Sequence, residues 1–191
     1  KFRSKKFLKM RKPNTGMFLN AKKKWNIDIK NSYMIGDSDV DKIFAKNLKT
    51  LFKNKKNLLV LNGDILKLNL KRLISNETII IGNLPYNIST QILIKFIRFN
   101  PWPPKFKRLI FMFQKEVGEK IIASMGNTNY SRLSIITKSR FKISNFFYVS
   151  KNCFFPKPKV DSIVIEFQPI KRKDINFKSI KSLEYITNIF F

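Results

Sequence analysis

Three isoleucines, Ile79-Ile80-Ile81, run straight into Gly82-Asn83-Leu84-Pro85-Tyr86-Asn87-Ile88-Ser89. A short β-branched run that stops at Gly reads as a buried strand, and the Ser reads as a helix start. That order commits the chain to strand, tight turn and helix, the unit from which sheets with crossover helices are built. Pro85 fixes its own φ and holds Leu84 extended. Open α/β sheets bind ligands at the carboxyl ends of their strands. The turn places three groups at such an edge: the Asn83 amide, the Leu84 carbonyl before Pro85, and the Tyr86 ring. A flat base with an exocyclic amino group is matched by all three. The two oxygens accept its hydrogens and the ring stacks on its face. Such holding aligns the nitrogen lone pair for attack on a methyl donor. The same residues are also consistent with a plain tight turn after a core strand.

The rest of the chain keeps the same alternation. Strands are expected at Ser32 to Ile35, Asn57 to Leu61, Thr78 to Ile81 and Arg108 to Phe113. Helices are expected at Met17 to Ile27, Val40 to Leu51, Leu66 to Leu73, Ser89 to Phe99, Glu116 to Ser124 and Tyr130 to Phe141. Pro101-Trp102-Pro103-Pro104 breaks the chain. Asn145 to Val149 and Val160 to Phe167 read as a closing antiparallel pair. From Lys171 the chain turns basic and helical. The pattern predicts an α/β fold with a parallel sheet.

Charge narrows the partners. Lys and Arg total 39 against 12 acids, a net charge of +27. Such a field attracts polyanions, nucleic acid first. An AT-rich coding sequence would also raise Lys, Asn, Ile and Phe together. With no histidine and only Cys153, Ser-His and Cys-His nucleophile pairs, histidine metal sites and an internal disulfide are excluded. One cysteine suits a reducing compartment, here the cytoplasm. No apolar run reaches the length of a membrane span, so no membrane partner is expected.

From about Leu58 to Pro169 the chain resembles the small-subunit ribosomal RNA adenine N6,N6-dimethyltransferases. Asn83 to Ser89, Phe113-Gln114-Lys115-Glu116-Val117, Tyr130-Ser131-Arg132-Leu133-Ser134 and Cys153-Phe154-Phe155-Pro156-Lys157-Pro158-Lys159-Val160-Asp161-Ser162 carry the likeness. Each block alone is weak, but four in order at matching spacing are specific. The resemblance implies an incomplete Rossmann-like class I methyltransferase sheet and S-adenosylmethionine as cofactor. It implies an RNA partner, the pre-30S particle, and a monomeric enzyme that needs no metal. It assigns the target adenine to Asn83, Leu84, Pro85 and Tyr86, and its second stacking ring to Phe154. Asp64 and Asn83 become cofactor contacts, and Lys115, Lys157 and Lys159 weaker RNA contacts. Other readings stay open. Asp64 suits a cap for the helix at Leu66, Phe154 suits core packing beside Phe155, and Lys115 suits a solvated helix start.

The first fifty residues resemble something else. Arg11-Lys12-Pro13-Asn14-Thr15-Gly16-Met17 and Met34-Ile35-Gly36-Asp37-Ser38-Asp39-Val40-Asp41 are similar to the C-terminal part of haloacid-dehalogenase-type phosphatases, closest to heptose-bisphosphate phosphatases. By that likeness Lys12 steadies phosphate, and Asp37 and Asp41 are remnants of a Mg²⁺ site. The family's nucleophilic Asp lies upstream and is absent, so phosphatase chemistry has no starting atom.

The methyltransferase part is itself short of one element. A Gly-rich loop lets the backbone approach the methionine end of the cofactor. The six glycines, Gly16, Gly36, Gly63, Gly82, Gly118 and Gly126, are too far apart to form it. The expected organisation is thus a phosphatase-like fragment at 1–50, a methyltransferase core lacking its cofactor loop at 51–170, and the start of a helical domain at 171–191. The main expectation is adenine dimethylation in small-subunit ribosomal RNA. A non-catalytic RNA-binding fragment is the alternative, and a phosphatase remnant a third.

Overall fold

A computed structural model describes residues 32–35, 50, 63–154, 157–171 and 179–191. The expected helices at Met17 to Ile27 and Val40 to Leu51 (Thr50 apart), and the expected strand at Asn57 to Leu61, lie outside these residues.

Five strands form one sheet: β1 (Ser32–Ile35), β2 (Ile79–Asn83), β3 (Arg108–Gln114), β4 (Phe141–Val149) and β5 (Ser162–Pro169). Their spatial order is β1-β2-β3-β5-β4. β1, β2 and β3 run parallel, with Ile80 opposite Tyr33 and Leu109. β5 enters antiparallel between β3 and β4. The helices are α1 (Leu70–Leu73), α2 (Ser89–Ile97), α3 (Lys115–Ile122), α4 (Arg132–Lys138) and α5 (Ile180–Phe190).

β2, β3 and β5 alternate buried and half-buried side chains, the period-two pattern of a strand with one face on the core. Phe111, Phe113, Ile163, Ile165 and Phe167 are fully buried, as are Ile92, Leu93, Phe96 and Ile97 of α2. The Phe rings meet mostly edge to face: Phe113 and Phe167 lie 6.2 Å apart at 81°, and Phe96 and Phe106 5.7 Å apart at 87°. Such pairs add to area burial. At Gly118 of α3 a Cβ would fall 1.9 Å from Ile163 Cγ2, so only glycine lets this helix lie against β5.

Several sequence expectations need correction. The helix expected at Leu66 to Leu73 is only α1. Asp64 and Asn69 each capture the backbone N–H two residues on, Leu66 and Lys71, at 2.8 and 3.2 Å. Two side-chain caps in six residues break the segment into two short turns. The helix expected to run to Phe141 ends at Lys138. Phe141 instead opens β4, where its ring packs on Trp102 and Phe167. β4 is therefore longer than the Asn145 to Val149 read from the sequence, and a bulge between Ile143 and Asn145 hid its alternation. Ser89 is not the helix cap. Ile88 precedes α2, and the Ser89 hydroxyl donates back to the Tyr86 carbonyl at 3.1 Å.

The last helix is tied to the core. Arg98, the C-cap of α2, grips Glu184 on α5 through Nε to Oε1 at 2.9 Å and Nη2 to Oε2 at 3.0 Å.

Candidate functional site

β2 delivers the turn to the sheet's carboxyl edge. Asn83 is its last residue and pairs with Met112 on β3. Gly82 is needed just before it. A Cβ there would meet Leu84 Cδ2 at 2.6 Å and the Phe111 ring at 3.1 Å, which is where the buried Leu84 side chain folds back. With Leu84 anchored inward, Asn83 is left exposed. Neither its carboxamide nor the Leu84 carbonyl has a hydrogen-bond partner among the described residues. The Pro85 carbonyl accepts from Ile88 N at 3.2 Å and closes the turn into α2. Two neighbouring acceptors thus stand uncommitted at a strand end, held by a rigid turn.

Tyr86 is half-buried, and its hydroxyl lies 2.7 Å from Ser162 Oγ. Ser162 is fully buried at the start of β5, opposite Gln114 on β3 and Val149 on β4. The residue before it, Asp161, binds twice. Its carbonyl accepts from Lys115 N at 2.9 Å, and its Oδ1 accepts from Lys151 N at 2.8 Å. Lys151 opens the 3-10 turn Lys151–Cys153, after which comes Phe154, half-buried. The Phe154 N–H donates to the Lys151 carbonyl at 3.3 Å.

Two sequence blocks far apart in the chain, and the turn that carries Phe154, are therefore fastened to one dipeptide. Asp161-Ser162 holds the ring of the first block, the helix start of the second and the turn that carries Phe154. Sequence reasoning quoted Asp161 and Ser162 but gave them no role. A short acceptor followed by a hydroxyl at a strand start was the available signal.

The other candidates are placed less tightly. Asp64 is exposed, and its Oδ1 caps Leu66 N as the structural reading expected. Its second oxygen has no partner among the described residues. The turn it caps is fastened to α2 by Lys95, whose ammonium donates to the Leu66 and Leu68 carbonyls at 2.6 and 2.8 Å. Burial holds the Lys95 pKa below the usual lysine value, against the opposing pull of Asp64. Lys115 Nζ sits 3.8 Å from Glu119 and 5.7 Å over the Tyr148 ring. Lys157 and Lys159 are exposed, and Cys153 is a free, exposed thiol. Phe155, Pro156, Lys12, Asp37 and Asp41 lie outside the described residues. No helix among the described residues is long and apolar enough to cross a membrane.

A parallel sheet closed by an inserted antiparallel strand, with this turn at its carboxyl edge, is the fold of the class I S-adenosylmethionine-dependent methyltransferases. A dimethyladenosine transferase from Plasmodium falciparum superposes with a TM-score of 0.62 at 29% identity, over 92% of this chain and 57% of that one. The 23S ribosomal RNA methyltransferase ErmE shares the fold at a TM-score of 0.57 and 18% identity.

The chain belongs to the ribosomal RNA adenine dimethylase family, whose model matches residues 38–191. That span takes in residues 38–50 of the segment that resembled a phosphatase. The ribosomal RNA small subunit methyltransferase A of Pelagibacter ubique is 41% identical over 135 residues, 69% of this chain and 50% of the relative. Its counterpart in Malacoplasma penetrans is 35% identical over 147 residues, 76% of this chain and 51% of the relative. The chain spans about half the length of the curated relatives it matches.

Proposed function

We propose that this chain takes part in S-adenosylmethionine-dependent dimethylation of adenine N6 in small-subunit ribosomal RNA. The observation that carries the reading is the pair of uncommitted acceptors at Asn83 and Leu84, beside a tyrosine ring pinned by Ser162. The adenine amino group has two hydrogens, and Asn83 Oδ1 and the Leu84 carbonyl accept one each. Accepting both polarises the two N–H bonds and fixes the amino group, so that its lone pair, which lies perpendicular to the ring plane, faces the methyl donor. Tyr86 supports one face of the base and Phe154 the other, so the base is held once it leaves its stack. The contribution of the protein is positioning, which alone can remove a large part of a barrier.

The described residues fit the adenine end of the cofactor. The free oxygen of Asp64 is an acceptor suited to an adenine amino group, and Asn83 ends β2. When bound, S-adenosylmethionine supplies the electrophilic methyl group. Lys115, Lys157 and Lys159 supply phosphate-binding charge. A monomer in the cytoplasm, acting on the pre-30S particle, completes the reading. The phosphatase likeness of residues 1–50 is assigned no activity, since Ser32–Ile35 within it pair with β2 as a strand of this same sheet.

The test is transfer of labelled methyl from S-adenosylmethionine to unmodified small ribosomal subunits. Incorporation that disappears in Asn83→Ala supports the enzyme. RNA binding with no incorporation in either protein would leave a binding fragment.

A further inference from the structure

Among the described residues β4 is an edge strand of the sheet, and edges are ordinarily guarded by charge, proline or a covering element. This one instead presents aromatic rings. Phe146 is 43% exposed and Tyr148 51%. Two residues apart, they share one face of the strand, with rings 6.2 Å apart at 85°. They face the end of α3 and the segment after it. Together these line an open groove of about 360 Å³ that includes Glu119, Asn127 and Asn129. That volume lies within the roughly 300–1,000 Å³ of small-ligand sites. The Asn127 Oδ1 accepts from Asn129 N at 2.8 Å, and no bond from its NH₂ is made among the described residues.

Charge selects the occupant. Lys115 stands over the Tyr148 ring at 5.7 Å. Its ion-pair partner, Glu119, is 3.8 Å away, a loose pair that a phosphate can displace. Among the described residues Glu119 is the one acid lining the groove, on a chain of net charge +27. An aromatic pair with one ammonium beside it offers the two contacts that single-stranded nucleic acid uses, a ring for the base and a cation for the phosphate. The groove also adjoins the candidate site. Tyr148 pairs with Ile163 and Val149 with Ser162, and the backbone of Lys115 is bonded to Asp161.

We propose that this groove is a subsite for an unpaired nucleotide flanking the target adenine, its base stacked on one of the two perpendicular rings and edge-on to the other, and its phosphate at Lys115. The proposal rests on the RNA reading of the adjoining site for its choice of ligand. It adds a second base position, so the substrate is a single-stranded segment and not one extruded base.

The test is fluorescence anisotropy of a labelled short oligouridine with the full 191-residue chain. Oligouridine offers no target adenine, so binding reports the subsite and not methyl transfer. Tyr148→Leu and Phe146→Leu should each weaken binding about tenfold, the scale of one lost base–aromatic stack, while Tyr148→Phe keeps it. The salt slope should be unchanged in these variants and fall by about 0.7 in Lys115→Gln. A second measurement needs no variant. Ultraviolet cross-linking of the bound oligouridine to the unmodified chain should place adducts on Phe146 or Tyr148. Leucine variants that bind like the parent, adducts found only elsewhere, no oligouridine binding, or capture of an apolar peptide in preference to RNA would each overturn the proposal. Asn83-dependent methylation with unaltered binding in Tyr148→Leu would sink the subsite alone. Loss of binding in Tyr148→Leu without any methylation would keep the subsite and sink the enzyme reading.

Discussion

Tyr86 and Ser162 are 76 residues apart in sequence, yet their hydroxyls meet at 2.7 Å. This contact sets the angle of the ring on which the proposed base rests. Tyr86→Phe would strand the buried Ser162 hydroxyl, and Ser162→Ala would free the Tyr86 ring to rock. Each should lower stability by about 0.5–1.5 kcal/mol. The two effects should fail to add, because either change removes the same bond. Urea unfolding of both single variants and the double variant measures the coupling. Methyl incorporation should fall several-fold in Ser162→Ala with oligouridine binding kept. Additive losses would mean the two hydroxyls do not act as a pair.

Asp64 has two claims on it, and one substitution separates them. Asn keeps an oxygen for Leu66 N, so Asp64→Asn should leave stability within about 0.5 kcal/mol. It replaces the second carboxylate oxygen by an NH₂ that opposes an adenine amino group. S-adenosylmethionine affinity should fall about tenfold, the loss expected when a charge-assisted bond goes. Titration calorimetry reads the affinity and thermal melting reads the cap. An unchanged affinity would leave Asp64 with the cap alone.

The legible part of this fold was the part written in local chemistry. Pro85 and Gly82 mark a turn in any context, and the run Ile79 to Ile81 has one reading as a strand. The alternation of Arg108 to Phe113 and of Val160 to Phe167 placed β3 and β5 within two residues. What stayed hidden depends on distant partners. Phe141 is apolar at a helix-compatible spacing, and only Trp102 and Phe167 waiting across the sheet make it a strand residue. Nothing near Ser162 in sequence names Tyr86 as its partner. The same holds for Phe146 and Tyr148, which would count as core on composition, yet the edge position of β4 leaves both half in solvent.

Gly118 tests how closely α3 must approach the sheet. A methyl group there would overlap Ile163 Cγ2, and Ile163 is fully buried next to Ser162. Gly118→Ala should destabilise by about 1–3 kcal/mol through overpacking, beyond the small gain alanine brings a helix. Because α3 begins at Lys115, a displaced helix also shifts the Asp161 anchor. Adding Ile163→Ala should cost less in the Gly118→Ala background than in the parent. Equal costs in both backgrounds, measured by urea unfolding, would show that the helix does not rest on Ile163.

Arg98 and Glu184 link the end of α2 to α5. Glu184 is 9% exposed at its side chain and Arg98 58%. The Glu184 hydrogen bond raises the Arg98 pKa further, so the arginine stays charged. Arg98→Met would leave a buried carboxylate without its fork. The expected loss is about 1–3 kcal/mol, below the figure for a fully buried pair because water reaches Arg98. Hydrogen exchange should speed up across Ile180 to Phe190 and leave β2 and β3 protected. Uniform acceleration across the sheet would instead make this contact part of the global fold.

Lys95 couples the Asp64 turn to α2, and its sign with pH can be worked out. Burial lowers its folded-state pKa, while the unfolded chain keeps the ordinary lysine value. Between those two values the unfolded chain binds more protons, so the Lys95 contribution to stability rises with pH across that window. Below the window both states are protonated and the cost of burying the charge is present in full. Lys95→Met removes the titration and the two bonds to Leu66 and Leu68. At neutral pH the variant should be about 1.5–3 kcal/mol less stable, since two carbonyls lose a charged donor. Urea midpoints collected from neutral to alkaline pH should then climb more steeply in the parent than in the variant. Parallel profiles would mean the ammonium is as well solvated in the folded chain as in the unfolded one. The Asp64 turn would then rest on its own cap and not on α2.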